Sequence, residues 1–311
     1  MAEINAKFKI AILGPGGVGR LLAALLARSG NEVCCIGSEL SIESIPQQII
    51  NIESVVFGNF NEGSIKSADQ LIPLDLVFIT LKAPFLSEAI KNISQYIDKK
   101  TLFISLMNGL GHRELIRDCF GSRLIVGSIG ALEVWLDTNK IVRHSSPMIP
   151  QIEIASNDLL TIDLPAVSNL LTKAGLSVKI CSNENIVIWR KMVRLAAISC
   201  LTAYARSPIG IVRADKNLRK LLESCVKELC NLADSQGFYA TSIEVMRQID
   251  NLPEALNTSM QRDILLRKPS EIESIIGNPL RLGKSLAIPM PTIEFCYTKI
   301  LEQSNMEYIN V

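Results

Sequence analysis

A glycine-rich turn near the start of the chain has the residue types needed to bind a phosphate group. Gly14, Gly16 and Gly19 fit the pattern G-x-G-x-x-G. In this pattern one glycine makes a tight turn, one lets the backbone approach a pyrophosphate, and one lets a helix pack closely on a strand. The same pattern also occurs in purely structural turns. If it binds a dinucleotide here, the residues expected to line the site are Gly14, Pro15, Gly16, Gly17, Val18 and Gly19.

The segment that follows the second expected strand bears on which dinucleotide would bind. Sites for NAD usually place Asp or Glu here to accept a hydrogen bond from the ribose 2′-hydroxyl, whereas NADP sites place a basic or small polar residue. Ser38 can donate to a 2′-phosphate and Gly37 leaves room for it, although Glu39 would repel the phosphate if it pointed inward. The sequence therefore favours NADP(H), with Ser38 as a binding residue.

A lysine in the second half of the chain could donate a proton. On a helix, Lys191 would share a face with Leu195 and Ser199. Burial beside apolar neighbours would lower its pKa, and an ammonium can both neutralise and protonate the oxygen that gains charge when a ketone is reduced. The alternative is a lysine that extends into solvent beside Arg190 and Arg194.

Two further polar residues have both a chemical and a structural interpretation. Asn108 precedes Gly109 after an expected strand, so it could simply form a turn. The carboxyl end of a strand is also where α/β sheets bind ligands. Glu271 begins a polar helical stretch and could lie on a solvated surface.

The elements around these residues predict an α/β fold. FKIAIL reads as a buried strand, RLLAALLARSG as a helix and EVCCIG as a strand, which together make a βαβ unit. The alternation continues through DLVFITLK, TLFISLMNG and RLIVGSIGAL. Residues 45–65 predict a small ribbon or irregular excursion, and the segments IVRHSS, QIEIAS and SVKI within residues 140–180 predict late or edge strands. From residue 185 onward the periodicity is helical. We therefore predict a Rossmann-like, doubly wound domain at 1–181 and an all-helical domain at 182–311.

Composition limits the function classes. The 311 residues are 48% hydrophobic and 20% charged with a net charge of +1, and the basic residues are scattered, so neither nucleic acid nor an anionic membrane is an expected partner. No apolar run is long enough to span a bilayer. The N-terminal segment lacks the pattern of a secretory signal, so we expect a cytoplasmic protein. The eight cysteines form no CxxC pair and only two histidines accompany them, which favours reduced core thiols over a metal site or disulfides.

Several separated motifs resemble the ketopantoate reductase (2-dehydropantoate 2-reductase) family over nearly the full length. They are GPGGVG, TLKA from Thr80, MNGLG from Met107, WRK from Trp189, LTA from Leu201, SMQRD from Ser259 and SEIE from Ser270. The resemblance implies a helical C-terminal domain related to that of 6-phosphogluconate dehydrogenase and an active site in the interdomain cleft. It also implies NADPH-dependent reduction of a 2-oxo acid.

The resemblance also implies roles for individual residues. Lys191 would be the general acid, Asn108 would contact cofactor and substrate, Ser259 would hold the substrate carboxylate, Glu271 would hold its hydroxyl, and Lys82 would line the cofactor site.

The family usually has asparagines four and eight residues after the lysine, where this chain has Leu195 and Ser199. An apolar side chain cannot replace an amide. Ser199 remains a candidate for substrate binding, and both ketopantoate and another 2-oxo acid remain open.

Two other functions remain open alongside this one. The chain could be an NADP(H)-binding protein without reductase activity that serves as a sensor or interaction module, or a β-hydroxyacid dehydrogenase that works in the oxidative direction. The apolar helices of the C-terminal half could form a homodimer interface.

Overall fold

The computed structural model describes residues 7–304 except 38–48, 64, 67, 131 and 159–162. The chain divides into two compact units. Unit 1 contains the described residues up to Met107 together with His112–Val187, and unit 2 contains Asn108–Gly111 and the described residues from Ile188 onward. The predicted domain boundary between residues 181 and 182 stays a prediction.

Unit 1 is built on a seven-stranded sheet with the order β11-β10-β7-β6-β5-β1-β2. Strands β1, β2, β5, β6 and β7 are parallel, and β10 pairs with β7 in antiparallel orientation. The central strands are buried, and their sequences are nearly continuous apolar runs. This is typical of a sheet that is covered on both faces. The strands in the described part of the chain are β1 (Lys9–Leu13), β2 (Glu32–Ile36), β3 (Ile50–Ser54), β4 (Phe60–Glu62), β5 (Leu76–Ile79), β6 (Leu102–Ser105), β7 (Leu124–Ile129), β8 (Val134–Leu136), β9 (Val142–His144), β10 (Gln151–Ala155) and β11 (Ser177–Ile180).

A second sheet of unit 1 has the order β4-β3-β9-β8. Its β3–β4 pair is the small ribbon predicted within residues 45–65, as far as those residues are described. Helix α1 (Gly17–Arg28) contacts strands of both sheets, and every residue from Leu21 to Ala27 is buried. The sequence LLAALLA is apolar on all sides, as is typical of a helix that is buried on more than one side.

The remaining α-helices among the described residues of unit 1 are α2 (Leu86–Ile93), α3 (His112–Phe120) and α4 (Leu164–Lys173). The three strands predicted within residues 140–180 are present as β9, β10 and β11, but α4, which lies between β10 and β11, was not predicted. Asp163 caps it by accepting a hydrogen bond from the Ala166 amide, which is a start signal that the sequence does contain.

Unit 2 is helical in the part of the chain that the structure describes. Its helices are α5 (Glu184–Ala205, of which the first four residues belong to unit 1), α6 (Ile209–Ala214), α7 (Lys216–Ser235), α8 (Ser242–Asp250), α9 (Ser259–Leu265), α10 (Asn278–Ser285) and α11 (Pro291–Ser304). A π-helical segment at Glu273–Gly277 leads directly into α10. Among the described residues, no helix combines the length and apolar character that crossing a bilayer would need. The homodimer stays a prediction.

Candidate functional site

The glycine-rich turn of unit 1 lies between β1 and α1, and two of its glycines are required by close packing. Gly14 has a φ of +95°, and a Cβ atom there would lie 2.5 Å from the Cβ of Leu81. A Cβ on Gly19 would overlap the carbonyl oxygen of Gly14 and lie 2.6 Å from the Thr80 hydroxyl. The turn is therefore tight against the end of β5, and only glycine fits at both positions.

Gly16 has a different environment. Its φ is −76°, which any residue can adopt, and a Cβ there would have no heavy atom within 4 Å. The backbone of Gly16 therefore borders open space at the N-terminus of α1. The N-cap residue is Gly16 itself, which has no side chain to cap the helix, so the first N–H groups of α1 are suited to an anion. This arrangement fits the phosphates of a dinucleotide.

Two residues that follow β5 complete the surroundings of the turn. The Thr80 hydroxyl donates a hydrogen bond of 2.8 Å to the carbonyl oxygen of Gly14 and so fixes the turn on the neighbouring strand. Lys82 lies two residues further on, half-buried, at the start of a 3-10 turn at Ala83–Phe85. Lys82 directly follows Leu81, which lies against Gly14, and the expected role of Lys82 near the cofactor stays a prediction.

In unit 2 three polar residues far apart in sequence form one hydrogen-bonded chain. The ammonium of Lys191, on α5, donates to Oδ1 of Asn108 at 2.8 Å. The amide nitrogen of Asn108 donates to Oε2 of Glu271 at 3.3 Å. Only one orientation of the Asn108 amide allows both bonds. Asn108 therefore connects a cation and a carboxylate through the two ends of one side chain.

The environment of Lys191 lowers its pKa to about 8. Burial is the main cause because it disfavours the charged form. The carboxylate of Glu271, itself only 4% exposed, opposes this shift, and the nearby Arg194 adds to it. A lysine with this pKa can release its proton near neutral pH.

The loop that carries Asn108 is fixed by backbone contacts within unit 2. Gly109 has a φ of +89°, and a Cβ there would lie 2.5 Å from backbone atoms of Ser274. The Leu110 amide donates to the carbonyl oxygen of Ser274 at 2.8 Å, and the side-chain amide of Asn278 donates to the carbonyl oxygen of Leu110 at 2.6 Å. The turn-forming interpretation of Asn108 therefore fits this loop, and its role at cofactor and substrate stays a prediction.

Two family models match the chain in sequence. The ketopantoate reductase PanE/ApbA model matches residues 10–158, and the ketopantoate reductase PanE/ApbA C-terminal model matches residues 185–303. The chain belongs to the ketopantoate reductase family. It is therefore a ketopantoate-reductase-like oxidoreductase, and the family depends on NAD(P)H. The sequence-based assignment of family and fold class is confirmed.

Relatives of this ketopantoate-reductase-like chain cover nearly its whole length. The 2-dehydropantoate 2-reductase of Pyrococcus horikoshii is 28% identical over 290 residues, which are 91% of this chain and 93% of the relative. The crystal structure of 2-dehydropantoate 2-reductase from Geobacter metallireducens superimposes with a TM-score of 0.84 at 26% identity and covers 95% of this chain and 99% of that one. A ternary structure of D-mandelate dehydrogenase with NADH and anilino(oxo)acetate has a TM-score of 0.81 at 20% identity, with 95% of this chain and 98% of that one covered, and shares the fold.

The other residues predicted for the site of this reductase-like protein lie in varied environments. Ser199 is completely buried, and its hydroxyl has no hydrogen-bond partner within the described part of the chain. Ser259 is exposed at the first position of α9. Ser38 lies outside the described residues. The roles of all these residues stay predictions.

Sequence reasoning missed several residues that support the site of this family member. Thr80 holds the glycine-rich turn, and Ser274 and Asn278 hold the Asn108 loop. The Ser270 hydroxyl is buried beside Glu271 without a partner among the described residues. Thr80 and Ser270 fall within the motifs TLKA and SEIE, so the motifs contained a signal for them. Asn278 contacts Leu110 from 168 positions away, and no local pattern indicates that contact.

Proposed function

We propose that this protein reduces a 2-oxo acid with NADPH and that Lys191 is the general acid. The observation that carries the proposal is the chain of hydrogen bonds from Lys191 through Asn108 to Glu271. It places an ionisable ammonium with a pKa of about 8 beside a fixed amide and a buried carboxylate. A purely structural lysine at a helix flank would extend into solvent and would not need these partners.

The cofactor would be held by the backbone of the turn from Gly14 to Gly19, by the N-terminus of α1 and by Lys82. When bound, it supplies the hydride that adds to the carbonyl carbon of the substrate. The preference for NADPH over NADH rests on Ser38 and Gly37 in the sequence, because Ser38 is small, polar and able to donate to a 2′-phosphate.

Lys191 would supply the proton that the reduced carbonyl oxygen needs. An ammonium has three N–H donors, and Asn108 accepts one of them, which leaves two for an incoming oxygen. Transfer of a proton leaves a neutral amine, which the buried surroundings of Lys191 favour. After each turnover the neutral amine would take up a proton from solvent, and the carboxylate of Glu271 favours the charged form that results.

The substrate is expected to have an apolar substituent near Leu195. This residue is half-buried one turn beyond Lys191 on the same face of α5, and it offers no hydrogen bond to a hydroxylated side chain. Ser199, Ser259 and Ser270 are the candidate polar contacts. Ketopantoate and 2-oxo acids with larger apolar groups therefore belong in the same substrate panel.

The proposal is tested by assaying that panel with NADPH and by comparing Lys191→Ala with Lys220→Ala, an exposed lysine on α7. We expect Lys191→Ala to lower kcat by roughly 10²–10⁴-fold, the range for a lost general acid. Lys220→Ala should match the unsubstituted protein. An unchanged kcat for Lys191→Ala would remove its assigned role. NADPH binding without oxidation by any 2-oxo acid would favour a sensor or interaction module instead.

A further inference from the structure

Three buried cysteines from three different helices of unit 2 lie together. They are Cys200 of α5, Cys225 of α7 and Cys296 of α11, and their Sγ atoms all lie within 4.8 Å of one another. Each side chain is at most 1% exposed. We call these residues the three-cysteine cluster. It takes no part in the proposed reaction, and the sequence predicted reduced core thiols rather than a metal site.

The separation of the sulphurs matches that of a trigonal metal site. Metal–sulphur bonds to thiolates are about 2.3 Å long, so three sulphurs around one ion in a plane lie about 4.0 Å apart. The sulphurs of the three-cysteine cluster already lie within 4.8 Å, so small side-chain rotations are enough to bring them to that distance. The three helices hold the sulphurs close before any ion binds.

A carboxylate close to the three-cysteine cluster is already engaged. Glu228 follows Cys225 by one helical turn, but its two carboxylate oxygens accept hydrogen bonds from the backbone amides of Thr292 (2.9 Å) and Ile293 (3.0 Å) at the start of α11. Water is excluded because the cysteines are buried. Within the described part of the chain, the ligand set is therefore three sulphurs.

The number and softness of these ligands select the ion. Zinc in structural protein sites is almost always four-coordinate, whereas soft thiolates also bind Cu(I). We propose that the three-cysteine cluster is a trigonal binding site for one Cu(I) ion. Each thiol that becomes a thiolate breaks its S–H bond, releases its proton to solvent and forms a Cu–S bond, and the oxidation state of copper does not change.

The test is an anaerobic titration of the reduced protein with Cu(I) supplied as its bathocuproine disulfonate complex. We expect one tightly bound Cu(I) per chain, and X-ray absorption of the loaded protein should show three sulphurs at about 2.3 Å. Failure to withdraw Cu(I) from the chelator, or a ligand set of two sulphurs with nitrogen or oxygen, would overturn the proposal. So would a preference for Zn²⁺ in a competition titration.

A matched pair of variants locates the site. Cys296→Ala should weaken Cu(I) binding by more than about 100-fold, which exceeds the loss expected for an outer-shell partner. Cys230→Ala changes another buried cysteine on α7 that lies outside the cluster and should leave the affinity unchanged. Equal affinities for both variants would contradict the assignment. If Cys296→Ala does not fold, the sulphur count from X-ray absorption of the unsubstituted protein decides.

Discussion

At the scale of single residues, opposing influences set the charge state of Lys191. Burial and Arg194 lower its pKa, Glu271 raises it, and the result is about 8. Burial dominates because an ammonium loses more from desolvation than one neighbouring carboxylate returns. The residue is thus an acid over the neutral range and a base at mildly alkaline pH.

The pKa of Lys191 predicts opposite pH profiles for the two reaction directions. Reduction needs the ammonium, so kcat/KM should be constant below about pH 8 and fall about tenfold per pH unit above it. Oxidation of the hydroxyacid needs the neutral amine, so its rate should rise with pH and level off above the same value. Steady-state kinetics from about pH 6 to about pH 10 check this. A flat profile for reduction across this range would contradict it.

Asn108 is predicted to position Lys191. Asn108→Ala removes the acceptor of the Lys191 ammonium and the donor to Glu271. We expect kcat to fall by about 10²-fold, the loss typical of a misplaced reacting group. The pH above which reduction slows should also decrease. Lys191 loses a hydrogen bond that stabilises its ammonium form, so its pKa should fall. A purely structural role would leave that limit unchanged. Kinetics together with thermal unfolding separate the two cases.

At the scale of elements, two glycines of the glycine-rich turn allow the effect of packing to be compared with the effect of cofactor binding. A Cβ on Gly19 would overlap backbone of Gly14, whereas a Cβ on Gly16 would have no neighbour within 4 Å. Gly19→Ala should therefore destabilise the protein by about 1–3 kcal/mol, as overpacking does. Gly16→Ala should leave stability within about 0.5 kcal/mol, as surface substitutions do.

These two variants should differ in which property they change, the affinity for NADPH or the free energy of unfolding. Gly16→Ala is expected to raise the Kd for NADPH by about tenfold or more, because the methyl group occupies the space that a pyrophosphate needs. Denaturant unfolding and fluorescence titration with NADPH measure the two quantities. Unchanged affinity in Gly16→Ala would show that the turn does not approach the cofactor.

Local sequence patterns predicted the elements with strong periodicity. Strands β1, β5, β6 and β7 are apolar runs that only a sheet covered on both faces can bury. Helix α4 was missed because its sequence, LPAVSNLLTK, is short and lies among strands. Strand β8 has three residues, too few for a period to show.

At the scale of the whole molecule, the sequence could place the candidate residues in order but not in space. Lys191 and Asn108 are 83 positions apart and Asn108 and Glu271 are 163 apart. Family motifs indicated all three residues, because such motifs can mark residues of one site that are far apart in sequence. The three-cysteine cluster has no such motif, and only the packing of α5, α7 and α11 brings it together. Long-range packing was therefore the part that local patterns could not supply.

Because the proposed cofactor-binding turn and the proposed proton donor belong to different compact units, we expect that a substitution can abolish one function and leave the other intact. The glycine-rich turn belongs to unit 1 and Lys191 to unit 2. A ligand present at 100 times its Kd stabilises a folded protein by about 2.7 kcal/mol. NADPH at that level should therefore raise the Tm of Lys191→Ala as much as that of the unsubstituted protein. The same NADPH concentration should raise the Tm of Gly16→Ala much less. Calorimetry of the three proteins with and without NADPH measures these shifts, and a Lys191→Ala protein that NADPH fails to stabilise would mean that Lys191 acts in binding rather than in catalysis.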